Sequence, residues 1–173
     1  SGPFKCALLL PGSGEMDRDG ENPNFMDRSP HKYLLVLSDY LTKNGIATFR
    51  YDKRGCCKSE GSYKNATIYD FADDAVSAIK FLSDHKNLSH VGIAGHSEGG
   101  LIAPMIINRS KNASFIITMA APSLPSTEVY KNQSYLAYLS YGISMDGVNL
   151  LCKVESESLQ ACIDFPEKDK LII

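Results

Sequence analysis

The order of short apolar runs and longer amphipathic segments is the feature that most constrains the fold of this chain. Between residues 6 and 120, runs typical of buried strands alternate with segments of helical period, in the order βαβαβαβ. The predicted strands are 6–10, 46–51, 91–95 and 115–120, and the predicted helices are 33–43, 67–83 and 101–108. Because parallel strands need right-handed crossovers, this order predicts an α/β protein with a parallel sheet and helices on both faces.

The clearest single element is the helix predicted to begin at Thr67. Thr67 and Asp70 have the spacing of a capping box, in which each residue satisfies a backbone N–H of the other. One stripe of the helix is apolar, and it consists of Ile68, Phe71, Ala72, Ala75, Val76, Ile79 and Leu82.

Composition excludes several classes of protein. The chain has 173 residues, 43% of them apolar, and a net charge of −2, which suffices for one domain with a core. Acidic and basic residues are interspersed, so no nucleic-acid partner is predicted. The longest apolar runs are far shorter than the roughly 20 residues that span a bilayer, so no membrane span is predicted. Five cysteines lack metal-ligand spacing, and neither a metal nor another cofactor is implied. For localisation the cytoplasm is favoured, and the periplasm and secretion stay open.

The pattern changes after residue 122. Prolines, a tyrosine-rich stretch at 130–141 and a charged segment replace the alternation of strands and helices. We therefore divide the chain into an α/β core at 1–122 and the start of a helical insertion at 123–173.

The segment Gly95-His96-Ser97-Glu98-Gly99 matches the pattern G-x-S-x-G. In this pattern a sharp turn between strand and helix lifts the serine hydroxyl above the sheet, and large flanking side chains would clash. Alone the pattern is weak, since a chain of this composition contains it by chance about 0.1 times. Here an apolar strand runs into it and an apolar helix runs out of it. Ser97 is therefore predicted to be a catalytic nucleophile rather than part of an ordinary glycine-rich turn.

A nucleophilic serine needs a base, and the tetrahedral intermediate needs preorganised donors for its oxyanion. One expected donor is the backbone N–H that follows the nucleophile, here that of Glu98. The other is expected from the loop after the first strand, 11–14 (PGSG), whose glycines allow close backbone approach. We predict the N–H of Ser13 as this donor, with Gly14 as the neighbouring alternative. The loop lacks the lysine of a phosphate-binding loop, which disfavours a nucleotide site.

Four segments together resemble successive motifs of α/β-hydrolase esterases, in particular the bacterial group related to dienelactone hydrolase and to the catalytic domain of prolyl oligopeptidase. They occur in the family's order within residues 6–122, as 11–19 (PGSGEMDRD), 31–41 (HKYLLVLSDYL), 50–55 (RYDKRG) and 95–100 (GHSEGG). The resemblance implies an α/β-hydrolase fold, present in part, whose enzyme cleaves small-molecule carboxylic esters through an acyl-enzyme. It implies a helical cap that begins after Ala121. It also places His31 at the edge of the active site, although a surface role at the start of the first helix is favoured for this residue; Gly14 is the other candidate for the pocket.

The sequence departs from this family at two positions. Cys57 stands where the turn Asp-x-Arg-Gly-x-Gly-x-Ser has its second glycine. Pro104 lies inside the helix after the elbow, where a proline costs about 3 kcal/mol or kinks the helix.

The base and acid of a Ser-Asp-His triad are expected, from the resemblance, beyond residue 173. No histidine of the chain has the position of a base; the four are His31, His85, His90 and His96. Asp164 and Asp169 are weak candidates for the acid, because neither follows a buried strand.

Two classes of function stay open from the sequence. The first is a serine esterase, with thioesterase, peptidase and lactonase as alternatives within the fold. The second is a non-catalytic binding or scaffold module, or an inactive truncated fragment of such a hydrolase. A four-stranded sheet with an unpaired edge also predicts a partner, either a second copy of the chain or a complementing C-terminal half.

Overall fold

The strands in the described part of the chain form one parallel sheet. The computed structural model describes residues 3–23 and 31–164. In this part the elements are β1 (Phe4–Leu10), α1 (Tyr33–Lys43), β2 (Ile46–Phe49), α2 (Ile68–Ser83), β3 (Leu88–His96), α3 (Glu98–Arg109), β4 (Ile116–Met119), α4 (Ser126–Ser140) and α5 (Met145–Asp164). The strands pair in parallel in the order β2-β1-β3-β4. The predicted α/β class is confirmed.

The central strand β1 is buried on both faces because successive side chains point to opposite sides of the sheet. Leu8 lies with α2 and α3 in the larger core cluster, which includes Ile79 and Ile106. Leu9 lies with Leu34 of α1 in the smaller cluster on the other face. Helices therefore cover both faces of the sheet, as the sequence predicts.

Helix α2 begins as the sequence predicts. The Thr67 side chain accepts from the Asp70 N–H, and the Asp70 carboxylate accepts from the Thr67 N–H. The hydrogen bonds that the Asp70 carboxylate accepts from the N–H and the hydroxyl of Thr67 lower the pKa of Asp70. The apolar stripe of α2 contributes five residues to the buried core, namely Phe71, Ala72, Ala75, Ile79 and Leu82.

Other boundaries differ from the prediction. β3 begins at Leu88 rather than 91, because the half-buried Leu88 and the exposed His90, which show no apolar pattern, still pair with the start of β1. α3 begins at Glu98 rather than 101, immediately after Ser97. β2 ends at Phe49, two residues early, and the chain then enters the loop that carries Asp52 and Lys53.

The two departures from the family pattern are accommodated locally. Cys57 has φ +47°, a left-handed conformation that glycine adopts more readily. Pro104 lacks the N–H that would bond the Gly100 carbonyl, yet α3 continues to Arg109 and the proline is exposed.

The chain divides into two compact units, residues 1–121 and 122–173. The described part of the second unit consists of α4 and α5, joined by a hydrogen bond from the Tyr138 hydroxyl to the Glu155 carboxylate. This bond raises the pKa of Tyr138 to about 12. Among the described residues, no helix combines the length and the apolar character needed to cross a bilayer. Assignment of this unit to the start of a cap stays a prediction.

Candidate active site

Ser97 occupies the one-residue turn between β3 and α3. Its φ is 52° and its ψ −115°, a conformation that non-glycine residues rarely adopt and that typically costs about 1–3 kcal/mol. The surrounding structure holds it there. The Ser97 N–H donates to the Met119 carbonyl at the end of β4 (2.9 Å), and the Ser97 carbonyl accepts from Gly100 in the first turn of α3 (2.9 Å).

The glycines after Ser97 allow α3 to start against the ends of the strands. A β-carbon on Gly99 would lie 2.6 Å from the Leu10 carbonyl oxygen, and one on Gly100 would lie 2.7 Å from the β-carbon of Ala121. Non-bonded heavy atoms do not approach so closely. The short side chains in the sequence pattern are therefore a packing requirement.

The loop at 11–14 lies beside Ser97 and is fixed by two tyrosines. A β-carbon on Gly12 would be 3.4 Å from that of Ser97. The Gly12 N–H donates to the Tyr33 hydroxyl at 3.0 Å, and the Gly14 N–H donates to the Tyr63 hydroxyl at 3.0 Å. Burial raises the pKa of both tyrosines, and the charge of Glu98 adds to the rise at Tyr63. Both hydroxyls therefore stay neutral over the ordinary range of pH.

Two backbone donors, one in the loop at 11–14 and one at the start of α3, have no partner in the described part of the chain. Within the described residues, neither the Ser13 N–H nor the Glu98 N–H makes a hydrogen bond. Glu98 is the first residue of α3, so its N–H belongs to the unsatisfied, positively polarised start of a helix. Of the two alternatives in the loop, Gly14 has its N–H engaged by Tyr63, whereas Ser13 has its N–H available.

Lys53 connects the loop to the elbow. Its Nζ lies 2.6 Å from Glu98 Oε1 and 3.2 Å from the Gly12 carbonyl oxygen. The residue is only 4% exposed, and its ammonium group lies 4.4 Å from the centre of the Phe71 ring. Sequence reasoning did not identify Lys53, Tyr33 or Tyr63. Lys53 and Glu98 occupy the variable positions of their motifs, and no spacing in the sequence indicates that they are in contact.

Asp52 stabilises the loop that carries Lys53. Its carboxylate accepts from the Arg18 side chain at 2.9 and 2.7 Å and from the Arg18 N–H at 2.8 Å. A further bond comes from the Lys58 N–H at 3.2 Å. The hydrogen bonds from Arg18 hold the pKa of Asp52 at about 2, although its burial opposes this. Arg18 belongs to the segment 11–19 that resembles an esterase motif.

None of the four histidines makes a hydrogen bond to Ser97. The His96 ring packs against Tyr33 with the ring centres 4.9 Å apart, and its Nδ1 is buried without a partner among the described residues. His31 is exposed ahead of α1 and bonds neither to Ser97 nor to the loop at 11–14, so its pocket role stays a prediction. Asp164 is exposed and accepts from Gln160 at 2.9 Å, whereas Asp169 lies outside the described residues.

An open cavity of about 620 Å³ borders the predicted oxyanion hole. Gly14 and Glu98 belong to its lining, together with the apolar surface of Tyr63, Ile68 and Phe71. The polar side chains of Glu15, Asn22 and Lys64 also line it. In the described part of the chain, no three His, Cys, Asp or Glu side chains cluster so as to hold a metal ion.

A parallel α/β sheet with a strained serine in the turn between a strand and the following helix is typical of the α/β-hydrolase class, whose fold is present here in part. Comparison with known proteins agrees with this. A profile of the family described as "serine aminopeptidase, S33" matches residues 31–144. The chain belongs to this family of α/β-hydrolases.

One curated relative and two solved structures extend the comparison. The chain is 31% identical over 163 residues to the esterase EstD of Thermotoga maritima, covering 92% of this chain and 37% of that protein. The Pyrococcus furiosus esterase Pf2001 has a TM-score of 0.60 at 20% identity, covering 79% of this chain and 47% of that one. The α/β-hydrolase GrgF from Penicillium sp. sh18 has a TM-score of 0.59 at 17% identity, covering 96% and 60%. These two structures share the fold.

Proposed function

We propose that this chain carries the nucleophile and the oxyanion hole of a serine hydrolase that acts on carboxylic esters. The observation that carries the proposal is the strained Ser97 between β3 and α3, with Gly12 of the loop close to its β-carbon. The N–H groups of Ser13 and Glu98, the residues that follow Gly12 and Ser97, make no hydrogen bond within the described residues. The 31% identical relative is an esterase by name, which supports ester substrates.

In the proposed reaction the Ser97 hydroxyl oxygen attacks the ester carbonyl carbon while a base accepts its proton. The carbonyl oxygen becomes an oxyanion and receives hydrogen bonds from the N–H groups of Ser13 and Glu98. Collapse of the intermediate expels the alcohol, which takes the proton, and leaves an acyl group on Ser97; water then releases the acid by the same steps. One such donor is typically worth about 10²–10³-fold in kcat.

We place the base and its orienting acid outside residues 1–173, because no histidine of the chain bonds to Ser97. The chain spans about two fifths of the length of the curated relative that it matches, at 37%. Without its base, a serine of this kind keeps only residual activity, several orders of magnitude down. The complete triad is therefore part of the proposal for the whole protein.

The cavity beside Glu98 supports a small or medium acyl ester. Its volume of about 620 Å³ lies within the range of roughly 300–1,000 Å³ of ordinary small-molecule sites. The aromatic and aliphatic part of its wall, formed by Tyr63, Ile68 and Phe71, suits an apolar acyl or alcohol group, and polar and charged side chains line the rest.

The experiment uses the protein expressed from its complete coding sequence. Ser97→Ala should abolish hydrolysis of p-nitrophenyl acetate and butyrate, while Ser77→Ala, an exposed serine on α2, should leave it within about twofold. Aminoacyl p-nitroanilides tested beside the esters separate a peptidase from an esterase. Full turnover by Ser97→Ala would refute the proposal, and absence of turnover by the unmodified protein on all these substrates would favour the non-catalytic alternative.

The partner prediction concerns the two outer strands of the sheet. β2 and β4 are its edges among the described residues, and Ile117 of β4 is 51% exposed. We propose that further polypeptide covers these edges, from a second copy of the chain or from a complementing C-terminal half. The molar mass in solution, measured by light scattering, distinguishes the two.

A further inference from the structure

Lys53 bonds to a residue in each of the two segments that supply the proposed oxyanion donors, to the backbone of Gly12 and to the side chain of Glu98. Its ammonium group donates to the carbonyl oxygen of Gly12 at 3.2 Å and to the carboxylate of Glu98 at 2.6 Å. Gly12 immediately precedes Ser13, and Glu98 provides the second N–H itself. One side chain therefore links the loop after β1 to the first residue of α3.

The bond to Gly12 constrains the direction of the Ser13 N–H. The Gly12 carbonyl and the Ser13 N–H belong to the same peptide unit, which is planar and trans. In such a unit the two groups point in opposite directions. A donor that holds the Gly12 oxygen on one side therefore aims the Ser13 N–H to the other.

The surroundings of Lys53 make this link stiff. The side chain is 5% exposed, and the rings of Phe71 and Tyr63 lie 4.4 and 5.3 Å from Nζ. A buried ammonium group is costly unless its hydrogen bonds are made, so the Gly12 carbonyl and the Glu98 carboxylate are held where they satisfy it. Tyr63 also accepts from the Gly14 N–H, which fixes the far side of the same loop.

We infer that Lys53 is a positioning residue that holds the Ser13 and Glu98 N–H groups in one oxyanion hole. This inference rests on the proposed function. Lys53 does not touch the reacting atoms. It acts on the rate because preorganised donors are effective only at the position where negative charge develops, and a displacement of about 1 Å can cost about 10²-fold.

The test compares Lys53→Met with Arg54→Met in the protein expressed from its complete coding sequence. Methionine keeps the length and apolar contacts of the lysine stem but cannot bond to Gly12 or Glu98. Arg54 is the next residue and also forms an ion pair, with Asp74 at 2.6 Å, but it makes no bond to the loop or the elbow. Active sites are counted by exhaustive fluorophosphonate labelling, so that misfolded protein does not lower the apparent kcat.

We expect kcat per labelled site to fall by at least about tenfold in Lys53→Met with KM nearly unchanged, and to stay within about twofold in Arg54→Met. A smaller fall in Lys53→Met, or an equal fall in both variants, overturns the inference. If Ser97 of the unmodified protein is not labelled, or Ser97→Ala keeps its turnover, the proposed function fails as well. Labelled Ser97 with an unaffected Lys53→Met overturns the positioning role alone.

Glu98→Ala provides a second arm that does not depend on the folding of Lys53→Met. It removes the carboxylate but keeps the backbone N–H, and it leaves the Lys53 ammonium, which is 5% exposed, with only the Gly12 carbonyl as a hydrogen-bond partner in the described structure. Counting active sites by labelling again removes any contribution of misfolded protein to the apparent kcat. We expect a fall in kcat per labelled site, and no further fall when it is combined with Lys53→Met, because the two side chains act as one unit. An unchanged kcat in Glu98→Ala, or independent effects in the double variant, overturns the inference.

Discussion

The carbonyl oxygen of Gly99 lies only 2.1 Å from the position that a β-carbon on Gly95 would occupy. Gly95 is the last buried residue of β3, and Gly99 lies in the first turn of α3. The backbones of β3 and α3 are thus in direct contact, with no room for a side chain between them. The sharp turn at Ser97 depends on this contact.

Gly95→Ala should therefore destabilise the protein by about 3 kcal/mol or more, since the clash is with backbone that cannot move aside. Urea unfolding of the purified variant measures this. Gly45→Ala is the matched control. Gly45 has φ +80° with open space around it, so alanine there adds backbone strain but no clash. We expect this variant to lose about 1–2 kcal/mol of unfolding free energy. Equal losses of unfolding free energy in both variants would contradict a close contact between Gly95 and Gly99.

The strained conformation of Ser97 predicts that glycine is better tolerated there than alanine. Ser97→Gly should be more stable than Ser97→Ala by about 1 kcal/mol, because glycine relieves a strain of about 1–3 kcal/mol but adds about 0.5–1 kcal/mol of unfolded-state entropy. The two variants lack the hydroxyl equally, so their unfolding midpoints compare backbone effects alone. A more stable alanine variant would mean that the turn is not strained in solution.

The hydrogen bond from Gly14 to Tyr63 predicts a kinetic effect of a single hydroxyl. Tyr63→Phe keeps the ring that stacks on Phe71 at 5.6 Å but frees the Gly14 N–H. The loop should lose its fixed position, and kcat for p-nitrophenyl acetate should fall by about tenfold with little change in KM. Tyr69→Phe, at an exposed position on α2, is the control and should leave kcat unchanged. Equal kcat values for the two variants would contradict a role of Tyr63 in holding the loop.

The lowered pKa of Asp52 predicts a pH dependence of stability. Its carboxylate ionises at about 2 in the folded protein and near 3.8 in the unfolded chain, so the contribution is present above about pH 4 and is lost as the pH falls towards 2. At pH 7 Asp52→Asn should cost about 1–2 kcal/mol, a value reduced by the half exposure of Arg18.

Urea unfolding at pH 7, 4 and 3 tests this, and the difference between the two proteins should shrink only below pH 4. Asp39→Asn, which breaks an exposed pair with Lys43 on α1, should cost less than about 0.5 kcal/mol at every pH. A constant difference for Asp52→Asn down to pH 3 and below would contradict the ionised pair with Arg18.

Local sequence determined much of the fold. The capping box at Thr67 and the apolar stripe behind it predicted the start of α2, because both signals act within one turn of helix. The bounds of β3 were harder to predict, since its first residues are half-buried or exposed and become strand only by pairing with β1. The order β2-β1-β3-β4 likewise depends on contacts distant in sequence.

Some residues of the candidate site could likewise be predicted from local sequence, and others could not. Ser97 and the loop at 11–14 lie in motifs whose spacing carries their chemistry, so they could be predicted. Tyr33 and Tyr63 could not, because they reach Gly12 and Gly14 from 21 and 49 residues away. The contact of Lys53 with Glu98, across 45 residues, exists only in the folded chain.

The most direct test of the central claim is to label the protein, expressed from its complete coding sequence, with a fluorophosphonate and to locate the adduct by intact mass and peptide mapping. We predict rapid addition of one label, at Ser97, and its absence in Ser97→Ala. Labelling at another residue, or turnover of esters by a protein whose Ser97 stays unmodified, would contradict the assignment of Ser97 as the nucleophile.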